Sequence, residues 1–309
     1  MLYRKFGKTG WDVSAIGMGT WNIGNQWGEL DDTTTWATVR SAFENGMNLF
    51  DTAESYGIPN GLSEERLGVA LAGIRHQVYV VSKIGHWGLR TGQDVPKNTV
   101  DMIRMCCHAS LHRLRTDWVD VMLCHEGNIE DPSVYLEAFE VLKQRGRIRV
   151  YGISTNDLEV LKRFNADGNC SVVELDYSLL NRTPESDILP YCYEKGIAVL
   201  VRGPLAKGLL SGKYTAETVF TDTVRSSWHE SERQQARFEA DIARVDKLKA
   251  ALKPGEEMVT AALRYVISHR AEPVAIPGAK SPEQAAMNAA AGEMTLSEDD
   301  RNRLSGLLE

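Results

Sequence analysis

Residue types suited to proton transfer recur at one kind of place in this chain. Apolar runs end at or next to Asp51, Lys83 and His125. Tyr56 follows the first of these across a small-residue turn, in the stretch Gly46-Met47-Asn48-Leu49-Phe50-Asp51-Thr52-Ala53-Glu54-Ser55-Tyr56-Gly57. Singly, each has an ordinary reading: strands often end in a polar residue, and a lone histidine is usually a satisfied hydrogen-bonder. Together they describe an acid. A phenol titrates near about 10, too high for an ideal donor at neutral pH, and a nearby ammonium lowers that value. A buried lysine tends to lose its proton, so Asp51 is needed to keep Lys83 charged. His125 would hydrogen-bond a carbonyl oxygen and turn it toward the phenol. Such a set protonates a carbonyl oxygen while something else attacks its carbon. No side chain delivers hydride, so a redox version requires a cofactor.

Positioning these residues takes consecutive strands that end at one face. Short β-like pieces around Gly7-Lys8-Thr9-Gly10 predict an N-terminal hairpin whose second strand, 13–19, runs on as a first barrel strand. Apolar, β-branched runs at 47–51, 78–82, 118–124, 149–153, 171–175, 197–201 and 273–276 read as further strands. Helical spacing fills the intervals: 33–45 with Asp32 as N-cap, 63–71 opened by a loose capping box at Ser63, 98–114, 132–145, 157–165, 184–195, and an Ala-rich helix from Pro282. Additional helices follow a long polar loop, 203–235, that contains Trp228. Eight strand–helix units predict a closed (β/α)₈ barrel with an N-terminal β-hairpin and extra C-terminal helices, as one domain over 1–309. In that architecture the strand C-termini carry the active site.

Composition agrees with this class. The 309 residues are 43% hydrophobic and 25% charged, with a net charge of −7, which argues against nucleic acid as the main partner. No apolar run is long enough to span a membrane, and Met1-Leu2-Tyr3-Arg4-Lys5-Phe6 lacks a signal-peptide core, so the chain reads as cytoplasmic. The five cysteines have neither disulfide nor metal-ligand spacing, so reduced thiols and no metal site are expected.

A dinucleotide fingerprint is absent: Gly17-Met18-Gly19 with Gly24 has the wrong third spacing, and Gly208-Leu209-Leu210-Ser211-Gly212-Lys213 falls one residue short of a phosphate loop. Barrels instead bind phosphate in the loops after strands seven and eight. Here those are Gly203-Pro204-Leu205-Ala206-Lys207-Gly208 and Gly278-Ala279-Lys280-Ser281, and the second opens a helix whose N-terminus favours an anion.

At these motifs the chain resembles the aldo-keto reductases. The resemblance rests on Asp51-Thr52-Ala53 with Tyr56-Gly57, on Leu142-Lys143 with Gly146, Ile148-Arg149 and Gly152-Ile153-Ser154, and on Ile276-Pro277-Gly278-Ala279-Lys280 with Gln284. It implies a (β/α)₈ barrel and a catalytic tetrad of Asp51, Tyr56, Lys83 and His125. It also implies NADPH as cofactor, with NADH as the alternative, and a small-molecule carbonyl substrate. Ser154 matches a residue that holds the nicotinamide carboxamide. The asparagine usually beside it is displaced to Asn156. Glu174 stands where glutamine is usual, and Arg202 where an aromatic often stacks on the ring. Gly203, Leu205 and Lys207 would meet the pyrophosphate, Gly278 is a further cofactor-binding residue, and Lys280, Gln284 and Asn288 match the adenosine end. Gln284 replaces a common arginine, leaving Lys280 as the main cation for a 2′-phosphate. Trp21, Trp27 and Trp87 fall in loops at the expected mouth, where Trp21 and Trp87 would line a substrate pocket. Two other classes compete: a Schiff-base lyase using Lys83, against which the Asp51 pairing argues, and a slow nucleotide-sensing subunit of the same fold.

Overall fold

The computed structural model describes residues 1–308. In chain order the hairpin strands β1 (Tyr3–Lys5) and β2 (Asp12–Ser14) come first. They are followed by β3 (Met18–Gly19), α1 (Asp32–Glu44), β4 (Leu49–Asp51), α2 (Leu62–Ala70), β5 (Tyr79–Ile84) and α3 (Val100–Arg113). Next come β6 (Val119–Cys124), α4 (Ser133–Gln144), β7 (Ile148–Ser154), α5 (Leu158–Phe164), β8 (Val172–Asp176), α6 (Ile188–Lys195) and β9 (Ala198–Arg202). The chain closes with α7 (Glu232–Ala250), α8 (Met258–Ile267), β10 (Val274–Ala275), α9 (Pro282–Ala291) and α10 (Glu298–Gly306).

Strands β3 to β10 form one eight-stranded sheet in sequence order, every neighbour parallel. Parallel bridges Ile16↔Ala275 and Gly19↔Gly278 join its two edges, so the sheet is a nearly closed barrel. Strand side chains alternate between faces. One alternate set, Leu49, Val81, Val121, Leu123, Val172, Leu200, Val274 and Ile276, forms its own buried cluster with Phe6 and Val13 of the hairpin. The hairpin therefore plugs the barrel at its strand N-termini. Gly7 makes the close approach, since a Cβ there would lie 2.6 Å from backbone atoms of Gly196 and Ala198. The other alternate set, such as Phe50, Val80 and Met122, packs outward against the helices, which meet it with residues such as Ile103, Cys107 and Leu111 of α3.

Several local expectations change. The first barrel strand is separate from the hairpin: regular strand structure lapses between Ser14 and Met18, where a Cβ on Gly17 would lie 2.8 Å from the Leu49 carbonyl. Asp31, rather than Asp32, caps α1, accepting from Thr34 N at 2.8 Å. Ser63 does not cap α2, which starts after Gly61 in a left-handed conformation. Its buried hydroxyl donates to the Thr20 carbonyl and meets the Thr20 and Thr52 hydroxyls instead. The helix expected over 184–195 is split into a 3₁₀ turn and α6. Glu185 in that turn is drawn to Tyr265 and Arg301.

Candidate active site

The period of two along the strands aims the site. Asp51 is two residues beyond Leu49, Lys83 beyond Val81, His125 beyond Leu123, and Glu174 beyond Val172, so all four point into the barrel above the apolar plug. Lys83 is fully buried there. Its ammonium lies 2.6 Å from both Asp51 oxygens, 3.1 Å from the Thr52 carbonyl and 3.2 Å from the Tyr56 hydroxyl. Glu174 Oε2 stands 3.1 Å from the same nitrogen. That is an ion-pair distance without hydrogen-bond geometry to the ammonium, and the Asp51 carboxyl lies close enough to Glu174 for the two to share a proton.

Tyr56 is held by its backbone. Its N–H donates to Ala53 and its carbonyl accepts from Ser63 N, while Gly57 N donates to the Gln26 side chain at 2.8 Å. Gln26 also accepts from Trp21 Nε1 at 2.7 Å, and the Trp21 ring stacks on Tyr56 with centroids 5.7 Å apart. His125 follows β6, its N–H donating to the Ile84 carbonyl. Its ring lies edge-on to Tyr56 at 6.1 Å and flat against His86 at 4.1 Å. His125 Nδ1 is buried with no partner among the described residues.

The electrostatics differ from the expected activation of the phenol. Burial raises the Tyr56 pKa, Lys83 opposes this, and Asp51 and Glu174 reinforce it, with a net upward shift. Burial and then Glu174 push the Asp51 carboxyl well above its usual range, against the pull of Lys83. Burial disfavours the Lys83 ammonium, but Asp51 and Glu174 outweigh it and hold the pKa above normal. Burial lowers His125 far below the ordinary imidazole value, helped by His86, Lys83 and Arg202. At neutral pH the site therefore holds a protonated phenol, a charged lysine and a neutral imidazole.

Around this centre the other expected residues fall at the same barrel face. Ser154 ends β7, in register with Glu174. Asn156 ties the neighbouring strand ends together, its Oδ1 accepting from Asp176 N and from Arg202 Nη2 at 3.0 and 3.1 Å. Gly203 is left-handed, and a Cβ would lie 2.6 Å from Asp176 Oδ1. Backbone at Ala206, Lys207 and Gly208 is left-handed as well, folding the loop after β9 into tight turns beyond Leu205. Lys280 Nζ donates to the Trp27 carbonyl at 2.8 Å, and Gln284 Oε1 accepts from Lys280 N at the start of α9. Asn288 donates to the Gly278 carbonyl. The loop after β9 reaches the loop after β3 through Thr223, which donates to the Gln26 carbonyl, and through Arg225, which lies over the Trp27 ring at 5.4 Å. Trp228 turns away, packing on Phe220 and Phe238.

Two contributors were not singled out from the sequence. Glu54, inside the Asp51–Gly57 stretch, is buried and accepts from the backbone N–H groups of Gly85 and Trp87. With Lys97 at 3.5 Å it fixes the loop that carries His86 and Trp87. Trp87 is further held under the Arg113 guanidinium at 4.8 Å. A carboxylate between small residues was the available signal for Glu54; His86 had none beyond its place beside Trp87. Among the described residues, no group of three His, Cys, Asp or Glu is placed to hold a metal ion, and no helix is long and apolar enough to cross a membrane.

Comparison with known proteins agrees with this geometry. The Aldo/keto reductase family model matches residues 15–309. Aldo-keto reductase YhdN of Bacillus subtilis is 32% identical, the match covering 100% of this chain and 94% of the relative. The NADH-specific methylglyoxal reductase of Escherichia coli is 30% identical over 98% of this chain and 97% of its own. A crystal structure of an aldo-keto reductase from Klebsiella pneumoniae in complex with NADPH superposes with a TM-score of 0.75 at 29% identity, covering 99% of this chain and 95% of that one. Barrel, strand-end residues and full-length similarity converge: the chain belongs to the aldo/keto reductase family.

Proposed function

We propose that the protein reduces an aldehyde or ketone to an alcohol with NADPH, Tyr56 giving the proton. The observation that carries this reading is the Lys83 ammonium, bound to Asp51 at 2.6 Å and to the Tyr56 hydroxyl at 3.2 Å. A protonated phenol is the form that donates, and its upward-shifted pKa keeps it in that form. Lys83 stabilises the phenolate left behind, and Asp51 keeps Lys83 charged. His125, neutral, offers its ring N–H to the substrate carbonyl oxygen and orients it toward Tyr56.

The residues present fit a nicotinamide dinucleotide. His125 Nδ1 is buried without a hydrogen-bond partner among the described residues, and Glu174 is buried in register with Ser154, with Asn156 and Arg202 at the neighbouring strand ends. The left-handed turns after Gly203 and the N-terminus of α9 give amide-rich seats for phosphates. A bound dinucleotide supplies the hydride. Ser154, Asn156 and Arg202 would hold its nicotinamide end, Gly203, Leu205 and Lys207 its pyrophosphate, and Gly278, Lys280, Gln284 and Asn288 its adenosine end. NADPH is favoured because Lys280 offers an ammonium there. The NADH-specific methylglyoxal reductase among its relatives makes NADH the alternative. Trp21, stacked on Tyr56, and Trp87 would form the walls against which a substrate packs.

The test is absorbance-monitored oxidation of NADPH and of NADH over a panel of aldehydes, ketones, quinones and keto-sugars. Turnover of some carbonyl substrates with NADPH supports the reading. Absence of turnover across the panel with both dinucleotides contradicts it.

A further inference from the structure

Glu174 is a second carboxylate on the central lysine, which it shares with Asp51. It is fully buried in β8, with Ser154 as its register partner on one side and Leu200 on the other. An ammonium has three N–H donors. On Lys83 these are taken up by Asp51, the Thr52 carbonyl and the Tyr56 hydroxyl, so Glu174 at 3.1 Å gains Coulomb attraction without a hydrogen bond. The other groups facing it add no positive charge. The Tyr56 phenol and the His125 imidazole are neutral, and His86 behind His125 is also pushed toward neutrality by burial. Arg202, at the end of β9, is turned to Asn156 and Asp176 and is partly exposed. One cation thus faces two buried carboxylates. Two buried carboxylates on one ammonium are costly, which favours a proton on Asp51 beside Glu174, and the cost falls when a second cation comes beside them.

The nicotinamide ring is such a cation in one of its two states only: it is neutral when reduced and positively charged when oxidised. We propose that Glu174 is the counter-ion for the oxidised ring, so that this site binds NADP⁺ in preference to NADPH through a charge that glutamine would not supply. This rests on the dinucleotide reading above, in which Ser154, the register partner of Glu174, meets the carboxamide. The same interaction favours carbonyl reduction on the enzyme, because positive charge develops on the ring as hydride leaves. It also holds the oxidised product, which slows its release. The upward shift of Asp51, to which Glu174 contributes, fits a site short of one positive charge.

The experiment is separate titration of the full-length protein with NADP⁺ and with NADPH by isothermal calorimetry, in wild type, Glu174→Gln and Glu174→Ala. Reading two variants guards against misfolding of either one. The expected result is a loss of NADP⁺ affinity of about tenfold or more in the variants, with NADPH affinity changed by less than about threefold. A purely structural role would move both constants together, and an unchanged ratio in variants that still bind overturns the role of Glu174 while leaving the dinucleotide reading intact. Failure of wild type to bind either dinucleotide overturns both.

Discussion

Lys83 Nζ lies 3.2 Å from the Tyr56 hydroxyl, and the contact pulls the phenol pKa down without bringing it below the ordinary value. Burial and the charges of Asp51 and Glu174 outweigh the ammonium, so the phenol is retained in its protonated form. What Lys83 provides is a partner already in place for the phenolate that proton donation creates, in surroundings that need no rearrangement.

Tyr56→Phe removes the proposed donor but leaves the ring packed against Trp21. Reduction is expected to fall by about 10²–10⁴-fold with dinucleotide binding retained. The raised phenol pKa also sets the pH behaviour. Reduction, which uses the protonated form, keeps its donor through about pH 7 to 9, whereas alcohol oxidation needs the phenolate and rises with pH over the same range. Rate profiles in both directions check this. Undiminished reduction in Tyr56→Phe would remove Tyr56 as the acid.

Lys280 is the cation expected at a 2′-phosphate, and its ammonium now donates to the Trp27 carbonyl. Lys280→Ala is expected to weaken NADPH by about 1–3 kcal/mol, the size of a charge-assisted hydrogen bond, and NADH much less. Equal losses for the two dinucleotides in a binding titration would place the phosphate elsewhere.

The strand-end cluster was legible because parallel strands buried on both faces read as continuous apolar runs, which makes Asp51, Lys83 and His125 visible where the runs stop. Tyr56 was legible from the turn that follows. Relations across the barrel were not. β5 and β8 are not neighbours in the sheet, and nothing local to Glu174 shows that its carboxylate reaches Lys83. Ser63 misled for a related reason: it has the type and spacing of a helix cap, but a tertiary cluster with Thr20 and Thr52 takes its hydroxyl. Glu54 was hidden because its partners are backbone N–H groups, whose direction depends on how the loop after β5 folds.

That loop gives the next prediction. Glu54→Ala leaves the Gly85 and Trp87 N–H groups without their acceptor, and the Lys97 ammonium, whose side chain is 2% exposed, with Asp94 at 3.5 Å as its remaining carboxylate. Losing buried hydrogen bonds of this kind costs about 1–3 kcal/mol each. The protein should lose stability in urea by an amount in that range or above. The loop carrying His86 and Trp87 should also loosen, raising KM for the carbonyl more than it lowers kcat. Wild-type KM in a destabilised Glu54→Ala would show that the loop does not contact substrate.

His269 predicts how stability responds to acid. It is 8% exposed at the end of α8, and its Nδ1 accepts a hydrogen bond from Ala271 N at 3.1 Å, so the folded state uses the neutral ring. Burial, followed by Arg301, lowers its pKa from 6.5 to about 4. Between those values the unfolded chain takes up a proton that the folded chain refuses. Stability is therefore intact above about pH 6.5 and is lost progressively as pH falls toward about 4, by up to about 3 kcal/mol for the full shift. Urea midpoints of wild type and His269→Gln at several pH values separate this contribution from those of other titrating groups. The difference between the two proteins should narrow steadily on acidification from neutral pH. A constant difference would mean that His269 titrates alike in the folded and unfolded chain.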